Sequence, residues 1–428
     1  MREDWNRRAR EDASYYVAFG RRGQDDEEFF ETAKEVVASV EWELRRLPRN
    51  ANRRAWRALE IGCGPGRLLR PLSGIFGEIH GVDVSDEMTR LARAKLIGIP
   101  HAHVHRGDGA SLAAFADESF DMVYSYAVFQ HIPSRDVVLQ YLREAQRVLK
   151  TGGLLRAQFN GLPQSVGQYD TWSGVRFSRE ELMEFTCESG FQVLAMEGAG
   201  TQYMWTSWRK RPPGWHARLA AGAPLARIHI QRITNAHSSE PLAPSSGRFA
   251  SISIWAQDLP GECSLHDLEV VIGGARGSIT YIGPADNSGI QQINVILPQL
   301  EERTGLLPVE VLWFGNPCLE KPATLRVIPA GPRVPRVTGV SDGVNLLSRV
   351  KIQSRTVKIT FEEVSHPDEF RVTFDAQPVL DVETFCTNPL SQRFEVNFRL
   401  PEAVAAGQHE LQVHLGKRRF GPILVEVV

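Results

Sequence analysis

Glu60, Gly62, Gly64 and Gly66 stand two apart, with the apolar run Ala58-Leu59 just before them. Glycine reaches positive φ and lets backbone approach a ligand closely. A turn that opens a helix also offers free N–H groups at the positive end of a dipole. The spacing is not a dinucleotide fingerprint, because the third glycine of G-x-G-x-x-G would fall on Arg67 or Leu69. An acid two residues before the first glycine would repel a pyrophosphate and suits a ligand with an ammonium group. Acids also end the next two apolar runs. Asp83 closes Glu78–Asp83, where doubly wound sheets hold ribose hydroxyls. Asp108, followed by Gly109, closes the run from Val104. Ser125 and Tyr126 end a fourth run that begins at Ser119. His131, in Phe129-Gln130-His131-Ile132-Pro133, is the candidate general base, since imidazole accepts a proton near neutral pH. His101, His103 and His105 alternate and so share one strand face. With no carboxylate or cysteine adjacent in sequence they read as a solvated face, and no metal site is expected.

The elements that must position these residues follow from periodicity. Strand-like and helix-like runs alternate to about residue 160, the sign of an α/β fold with a parallel, doubly wound sheet. One amphipathic helix is predicted from Phe29 to Leu47, capped by Asp25 or Asp26 and ended by Pro48; Arg49–Arg54 then links it to the first strand. Ser85 caps a helix carrying Met88, and Ser134 opens another that ends at Leu149. Asn160–Gly174, with Tyr169 and Trp172, is the substrate-loop candidate. Ser178 to Glu181 is a capping box, and two strands, from Phe191 and from Gln202, should pair antiparallel.

LEIGCGPG, GVDVSDEM, GDGASL, FDMVYSYAVFQHI and REAQRVLKTGGLL, in this order over residues 55–160, resemble the class I S-adenosylmethionine-dependent methyltransferases. The resemblance implies a Rossmann-like sheet and S-adenosyl-L-methionine as cofactor. Glu60, Gly62, Gly64 and Gly66 would hold its methionine end, and Asp83 its ribose. Met88 would pack on the adenine, with Asp108 and Gly109 at the adenine edge. Ser125 and Tyr126 would line the methyl-transfer site, with Tyr126 and His131 as catalytic candidates. An N-terminal segment closes over the site in such enzymes, which makes Tyr15 and Tyr16 lid candidates beside Trp5 and Phe19. Alignment alone can supply about 7–11 kcal/mol of the acceleration in such a displacement. The expected acceptor is a small polar molecule, a sugar or another metabolite. The alternative is a binding or adhesion protein whose β-domains act on a degenerate methyltransferase scaffold.

A chain of 428 residues, 42% apolar and 23% charged, should hold two or three soluble domains. A formal net charge of −2 argues against a nucleic-acid partner. No apolar run approaches the roughly 18 residues of a membrane span, and residues 1–5 do not read as a secretory signal. Five scattered cysteines exclude a disulfide framework and fit the cytoplasm. The expected segments are a helical cap at 1–50, the cofactor domain at 51–212, a linker at 213–247, and β-sandwiches at 248–330 and 333–428. The run Ile293–Pro298, then Gly305 and Val309, is echoed by Val396–Pro401, then Gly407 and Leu411, which suggests two tandem sandwiches. The first resembles bacterial immunoglobulin-like modules through Tyr281–Ala285 and Gln291–Val295, and self-association through these modules is allowed.

Overall fold

The computed structural model describes every residue except 19–21, 49–51, 165–168, 223, 301–302, 344–348 and 390. Phe19, residues 49–51 of the expected link and residues 165–168 of the expected substrate loop lie outside the described residues. Two compact units emerge: Met1–Glu11 with Phe30–Ala330, and Asp12–Phe29 with Gly331–Val428.

The first unit is built on parallel strands with crossover helices. Its strands are β1 (Arg57–Ile61), β2 (Glu78–Asp83), β3 (Ala102–Arg106), β4 (Phe120–Ser125), β5 (Leu149–Phe159), β6 (Phe191–Glu197) and β7 (Met204–Lys210). Their order is β3-β2-β1-β4-β5-β7-β6, and only β7 runs against its neighbours. Side-chain alternation gives the sheet two apolar faces. Leu59, Val123 and Leu155 share a core with Val138, Leu142 and Ala145 of α6 (Arg135–Val148). Ala58, Met122 and Leu154 pack on the other face with Val40, Leu44 and Leu69.

The helices start where their caps place them. The Ser85 hydroxyl accepts from Met88 N (3.1 Å) at α5 (Asp86–Lys95), and Ser134 accepts from Val137 N (3.4 Å) at α6. Ser178 and Glu181 form the reciprocal box that opens α7 (Arg179–Glu188). The single helix expected at 29–47 is instead α2 (Asp26–Glu31) and α3 (Lys34–Glu43). Arg67 explains the break, because its guanidinium takes the Thr32 carbonyl (3.0 Å) and hydroxyl (3.3 Å). At the N-terminus α1 (Arg2–Ala18) is interrupted at Asp12, whose backbone is extended and whose carboxylate accepts from Tyr15 N (3.0 Å). Residues 1–50 are therefore shared between the two units and do not form one cap.

The stretch expected as a linker at 213–247 also carries structure. It holds α8 (Trp215–Ala221), β8 (His229–Asn235) and β9 (Leu242–Pro244). β8 pairs antiparallel with β10 (Ser251–Gln257), placing Ile233 opposite Ile254. β9 pairs in parallel with β16 (Ala323–Ile328). Between them lie β11 (Leu268–Ile272), β12 (Ala275–Ile282), β13 (Gln291–Ile296), β14 (Gly305–Trp313) and β15 (Asn316–Pro317). One layer contains β8, β10 and β13, the other β11, β14 and β16, with β12 pairing into both. This sandwich continues the methyltransferase-like sheet through one pair, Tyr281 with Ala195 of β6. Polar groups hold the seam. Gln192, fully buried, donates to the Gly261 and Cys263 carbonyls (2.9 and 2.7 Å) and accepts from Arg211 (2.8 Å). Val193 N donates to the Ser264 hydroxyl, and Leu265 N to the Val193 carbonyl.

In the second unit the described residues beyond 330 form two β-sheets, with one short 3-10 turn at Pro367–Glu369. β17 (Arg336–Asp342), β19 (Thr356–Glu362), β23 (Arg393–Arg399) and β22 (Glu383–Asn388) make one sheet. β18 (Lys351–Ile352), β25 (Arg418–Val427), β24 (Gly407–Leu415), β20 (Phe370–Phe374) and β21 (Gln377–Pro378) make the other. Both faces bury one core around Ile359, Phe361, Val372, Val396 and Leu411. The repeated sequence occupies matching places: β13 then β14, and β23 then β24, each step from one layer to the other. No helix among the described residues is long and apolar enough to cross a membrane.

The histidines expected on a solvated face do not stand alone. The register sets His103 of β3 beside His80 of β2, and His80 Nε2 lies 2.7 Å from Glu78 Oε1. The carboxylate missing from the sequence neighbourhood arrives from the adjacent strand.

The seam makes a direct prediction. Gln192→Ala leaves the buried Cys263 carbonyl without its donor and should destabilise the chain by about 1–3 kcal/mol. Urea unfolding of this variant checks it, and an unchanged midpoint would contradict the seam's role.

Candidate active site

The three glycines of the loop after β1 all have positive φ: +73° at Gly62, +50° at Gly64 and +86° at Gly66. A Cβ on Gly62 would lie 2.3 Å from a Val128 methyl, so no side chain fits there. The loop is tied to the end of β2. Gly62 N and Cys63 N donate to the Val82 carbonyl (2.8 and 3.1 Å), and Gly64 N donates to Asp83 Oδ2 (2.9 Å). Asp83 Oδ1 accepts from Ser85 N (2.8 Å). Burial raises the Asp83 carboxyl above its usual range, against the pull of these N–H groups.

Glu60 sits one step back in β1 and is buried, at 3% exposure. Its Oε2 accepts from the Tyr124 hydroxyl on β4 (3.0 Å). Burial pushes its pKa up to about 8; Tyr124 and Arg67 pull it down, and the charge of Asp83 pushes it further up. The Tyr141 hydroxyl on α6 is raised chiefly by burial and then by Asp108 and Asp83, so these three groups share one electrostatic neighbourhood. Parallel register therefore brings Glu60, Asp83 and Asp108 to the same edge of the sheet.

The other expected site residues are placed as follows. Asp108 is exposed, and its carboxylate closes its own turn. Oδ1 accepts from Ala110 N and Ser111 N (both 2.8 Å), and Oδ2 from the Ser111 hydroxyl (2.6 Å). The hydroxyl bond first, then these N–H groups, hold it below the usual range. Gly109 follows with φ +93°, and Met88 is buried in the first turn of α5. The Ser125 hydroxyl donates to the Ile61 carbonyl (3.1 Å), locking β4 to β1. Tyr126 stacks on Trp205 at 5.3 Å, with the Arg67 guanidinium 4.9 Å from its ring and the Arg156 guanidinium 4.7 Å from Trp205. Ala127 then takes a left-handed backbone (φ +55°), a conformation that costs energy without glycine and is found at functional sites. Its N–H donates to Gln158 Oε1 (3.0 Å).

His131 is buried. Its Nδ1 lies 3.1 Å from the Trp172 carbonyl and its Nε2 3.3 Å from the Gln130 amide nitrogen. Burial lowers its pKa to about 4, so the ring is neutral at pH 7, with the Nδ1 proton donated to Trp172.

The start of α1 crosses this edge. Arg2 donates to the Val84 carbonyl (3.2 Å), and Asn6 Oδ1 accepts from the Ser85 hydroxyl (2.7 Å) and Glu87 N (3.1 Å). Trp5 meets His131 edge-on at 5.4 Å. Arg8 lies 4.8 Å from the Trp5 ring and 5.2 Å from the Trp172 ring, and donates to the Thr171 carbonyl (3.1 Å). Asp4 binds both Arg8 and the Thr171 hydroxyl. The covering residues are therefore Arg2, Trp5, Asn6 and Arg8. Tyr15 and Tyr16, the expected lid residues, meet edge-on at 5.2 Å and belong to the second unit. Helical period could have found the true face, since Arg2, Trp5, Asn6 and the buried Ala9 follow i, i+3, i+4, i+7. Arg67 and Tyr141 carried no such signal, because their approach to Glu60 and Asp83 is a tertiary contact.

Residues 59–157 match the family model described as a methyltransferase domain. A demethylmenaquinone methyltransferase of Staphylococcus aureus is 32% identical over 117 residues, covering 27% of this chain and 47% of its own length. An uncharacterized 37.1 kDa protein of transposon TN4556 from Streptomyces fradiae is 38% identical over 101 residues, covering 23% and 28%. The chain thus spans under half the length of these relatives. Among solved structures, magnesium protoporphyrin IX methyltransferase from Synechocystis PCC 6803 with bound SAH has a TM-score of 0.38 at 16% identity. It covers 49% of this chain and 97% of that one. Motif order and family match agree, and residues 59–157 of this chain carry a methyltransferase domain.

Proposed function

We propose that this chain transfers a methyl group from S-adenosylmethionine to a small polar acceptor. Glu60 carries the reading. It is a buried carboxyl beside a glycine loop, and its ionised form needs a cation that the surrounding side chains supply only in part, through Arg67. An amino-acid ammonium meets that need, and a pyrophosphate does not. The cofactor, when bound, supplies a methyl group already activated by its sulfonium.

The residues divide the remaining work. Glu60, oriented by Tyr124, takes the ammonium, and the backbone from Gly62 to Gly66 takes the carboxylate. Asp83 takes the ribose hydroxyls with the lone pairs its two backbone bonds leave free. Met88 and the backbone at Asp108 and Gly109 hold the adenine. The first turns of α1 keep water from the edge. Tyr126, stiffened between Trp205 and Arg67, and His131 border the acceptor. A histidine with a pKa of about 4 is a weak base at pH 7, so His131 is better suited to fix Trp172 than to deprotonate a sugar hydroxyl. Arg8, next to His131, is paired with Asp4 and supplies no base either. The acceptor then reacts through a lone pair already free near neutral pH, as a carboxylate does.

Two outcomes check this reading. Below about pH 8 free Glu60 holds a proton, and binding an ammonium must release it. Titration calorimetry at pH 7, in buffers of different ionisation heat, should show release of about one proton per S-adenosylmethionine. Glu60→Gln should remove that release and weaken binding roughly 10- to 100-fold. In the ligand-free chain the same group contributes stability that is full below its ordinary pKa of 4.5 and is lost as pH rises through about 8. Binding without proton release would contradict the assignment. For the acceptor, methyl-labelled cofactor is incubated with fractionated metabolite pools. Label should enter small anionic compounds, and Asp83→Ala should abolish transfer. Label entering only neutral sugars would overturn the acceptor class, and a chain that does not bind the cofactor would overturn the activity.

A further inference from the structure

We propose that Glu78, His80 and His103 form a zinc site on one face of β2 and β3, at the opposite end of β2 from the cofactor loop. Glu78 and His80 are two apart on β2 and so share a face, and the parallel register sets His103 beside His80. One ligand atom from each lies within 4.8 Å of the other two. Glu78 Oε1 is 2.7 Å from His80 Nε2 and 3.9 Å from His103 Nε2. Tetrahedral zinc, with bonds of about 2.0–2.1 Å, needs ligand atoms about 3.3 Å apart, so the observed spacings bracket the required one. Imidazole with carboxylate is a donor set that zinc accepts, and three protein ligands leave one position for solvent.

The surroundings support this assignment. His80 Nδ1 lies 2.9 Å from His105 Nε2. When His80 binds an ion through Nε2, its proton resides on Nδ1 and is donated to His105, the outer-shell bond that metal-bound histidines need. Phe115 and Phe120 meet His80 edge-on at 5.7 and 5.4 Å, and Phe115 meets His105 at 5.0 Å, which gives the cluster an apolar wall. The opposite side is open, with the His103 side chain 43% exposed and the His80 side chain 9%. Arg57 is the resident cation. Its Nε binds Glu78 Oε2 at 2.9 Å and its Nη2 binds Oε1 at 3.1 Å. An ion displaces both Nη2 contacts, to Oε1 and to His80 Nε2 (3.4 Å), and the Nε bond goes on orienting the carboxylate. His101, just before β3, is turned to the Ser73 carbonyl at 2.9 Å and stays outside the set.

The two ligands on β2 lie five and three residues from Asp83, about 16 and 10 Å at roughly 3.3 Å per residue. The site is therefore too far away to touch the cofactor. Its effect is to pin β3, the terminal strand of the sheet order, to β2. An ion that binds the folded chain alone raises its stability by mass action.

The test uses the full chain, stripped with chelator and titrated with zinc chloride in the absence of cofactor. Calorimetry should give one zinc per chain, with the melting temperature rising as free zinc rises. His103→Asn, at a half-exposed position, should abolish this binding while the circular dichroism spectrum stays unchanged. His105→Asn should weaken it roughly 10- to 100-fold. His409→Asn, in the other unit, should leave it intact. Absence of saturable binding at micromolar zinc would overturn the site, and so would binding that survives His103→Asn or is lost in His409→Asn.

Discussion

A carboxyl group buried inside a sheet is the constraint that orders the first unit. An ionised carboxylate away from water is unfavourable unless it is paired, and the usual escape is a raised pKa. Glu60 shows that escape, with a pKa of about 8 and a phenol as its hydrogen-bonding partner. Tyr124 can reach it only because β4 lies beside β1 in register, Glu60 opposite Tyr124. The loop that follows is equally bound by its neighbours. Val128 fills the space that a side chain at Gly62 would need, and Asp83 fixes the Gly64 amide. The ends of β1, β2 and β4 thus meet in one geometry around a group that is unfavourable in isolation.

Parallel strands make that geometry cheap to repeat. Each crossover returns the chain to the same edge, so successive acids fall near one another without any long-range sequence signal. The same alternation puts apolar residues on both faces, where α3 and α6 cover them. The edge itself has no helix of its own, and the first turns of α1 serve that purpose. They do so through polar contacts from Arg2 and Asn6 and through the stacked group of Trp5, Arg8, His131 and Trp172. Such a cover is held by few apolar contacts, which suits an element that must let ligands pass.

What could be read from the chain was what local physics determines. Glycine spacing, acids at strand ends, serine caps and two-residue alternation act within a few residues of themselves, and these placed the cofactor edge. Three features lay beyond that range. The helix expected over 29–47 breaks because Arg67, distant in sequence, takes the Thr32 carbonyl. The segment at 213–247, with its apolar patch Ile228–Ile233, reads as a linker because Ile230 and Ile233 gain a strand partner only when β10 lies beside them. The histidines of β3 looked solvated because Glu78 and His80 belong to another strand, and register cannot be read from either strand alone.

Sheet edges connect these observations. An open sheet has two terminal strands whose free N–H and C=O groups invite unwanted pairing. Here both ends of the β3-to-β6 sheet are dealt with, by different means. At β6 the chain lays its own β-sandwich against the edge. A single ladder pair would hold it weakly, and so Gln192 and Ser264 add buried or half-buried polar bonds, and Arg211 an exposed one, that specify one docking. At β3 the strand is short and carries polar side chains on one face, where His103 and His105 meet Glu78 and His80. Polar groups placed at a sheet edge discourage intermolecular pairing, and convergent imidazoles can also hold an ion. The sandwich that follows the methyltransferase domain is therefore part of how that domain's sheet is completed, in addition to whatever it binds.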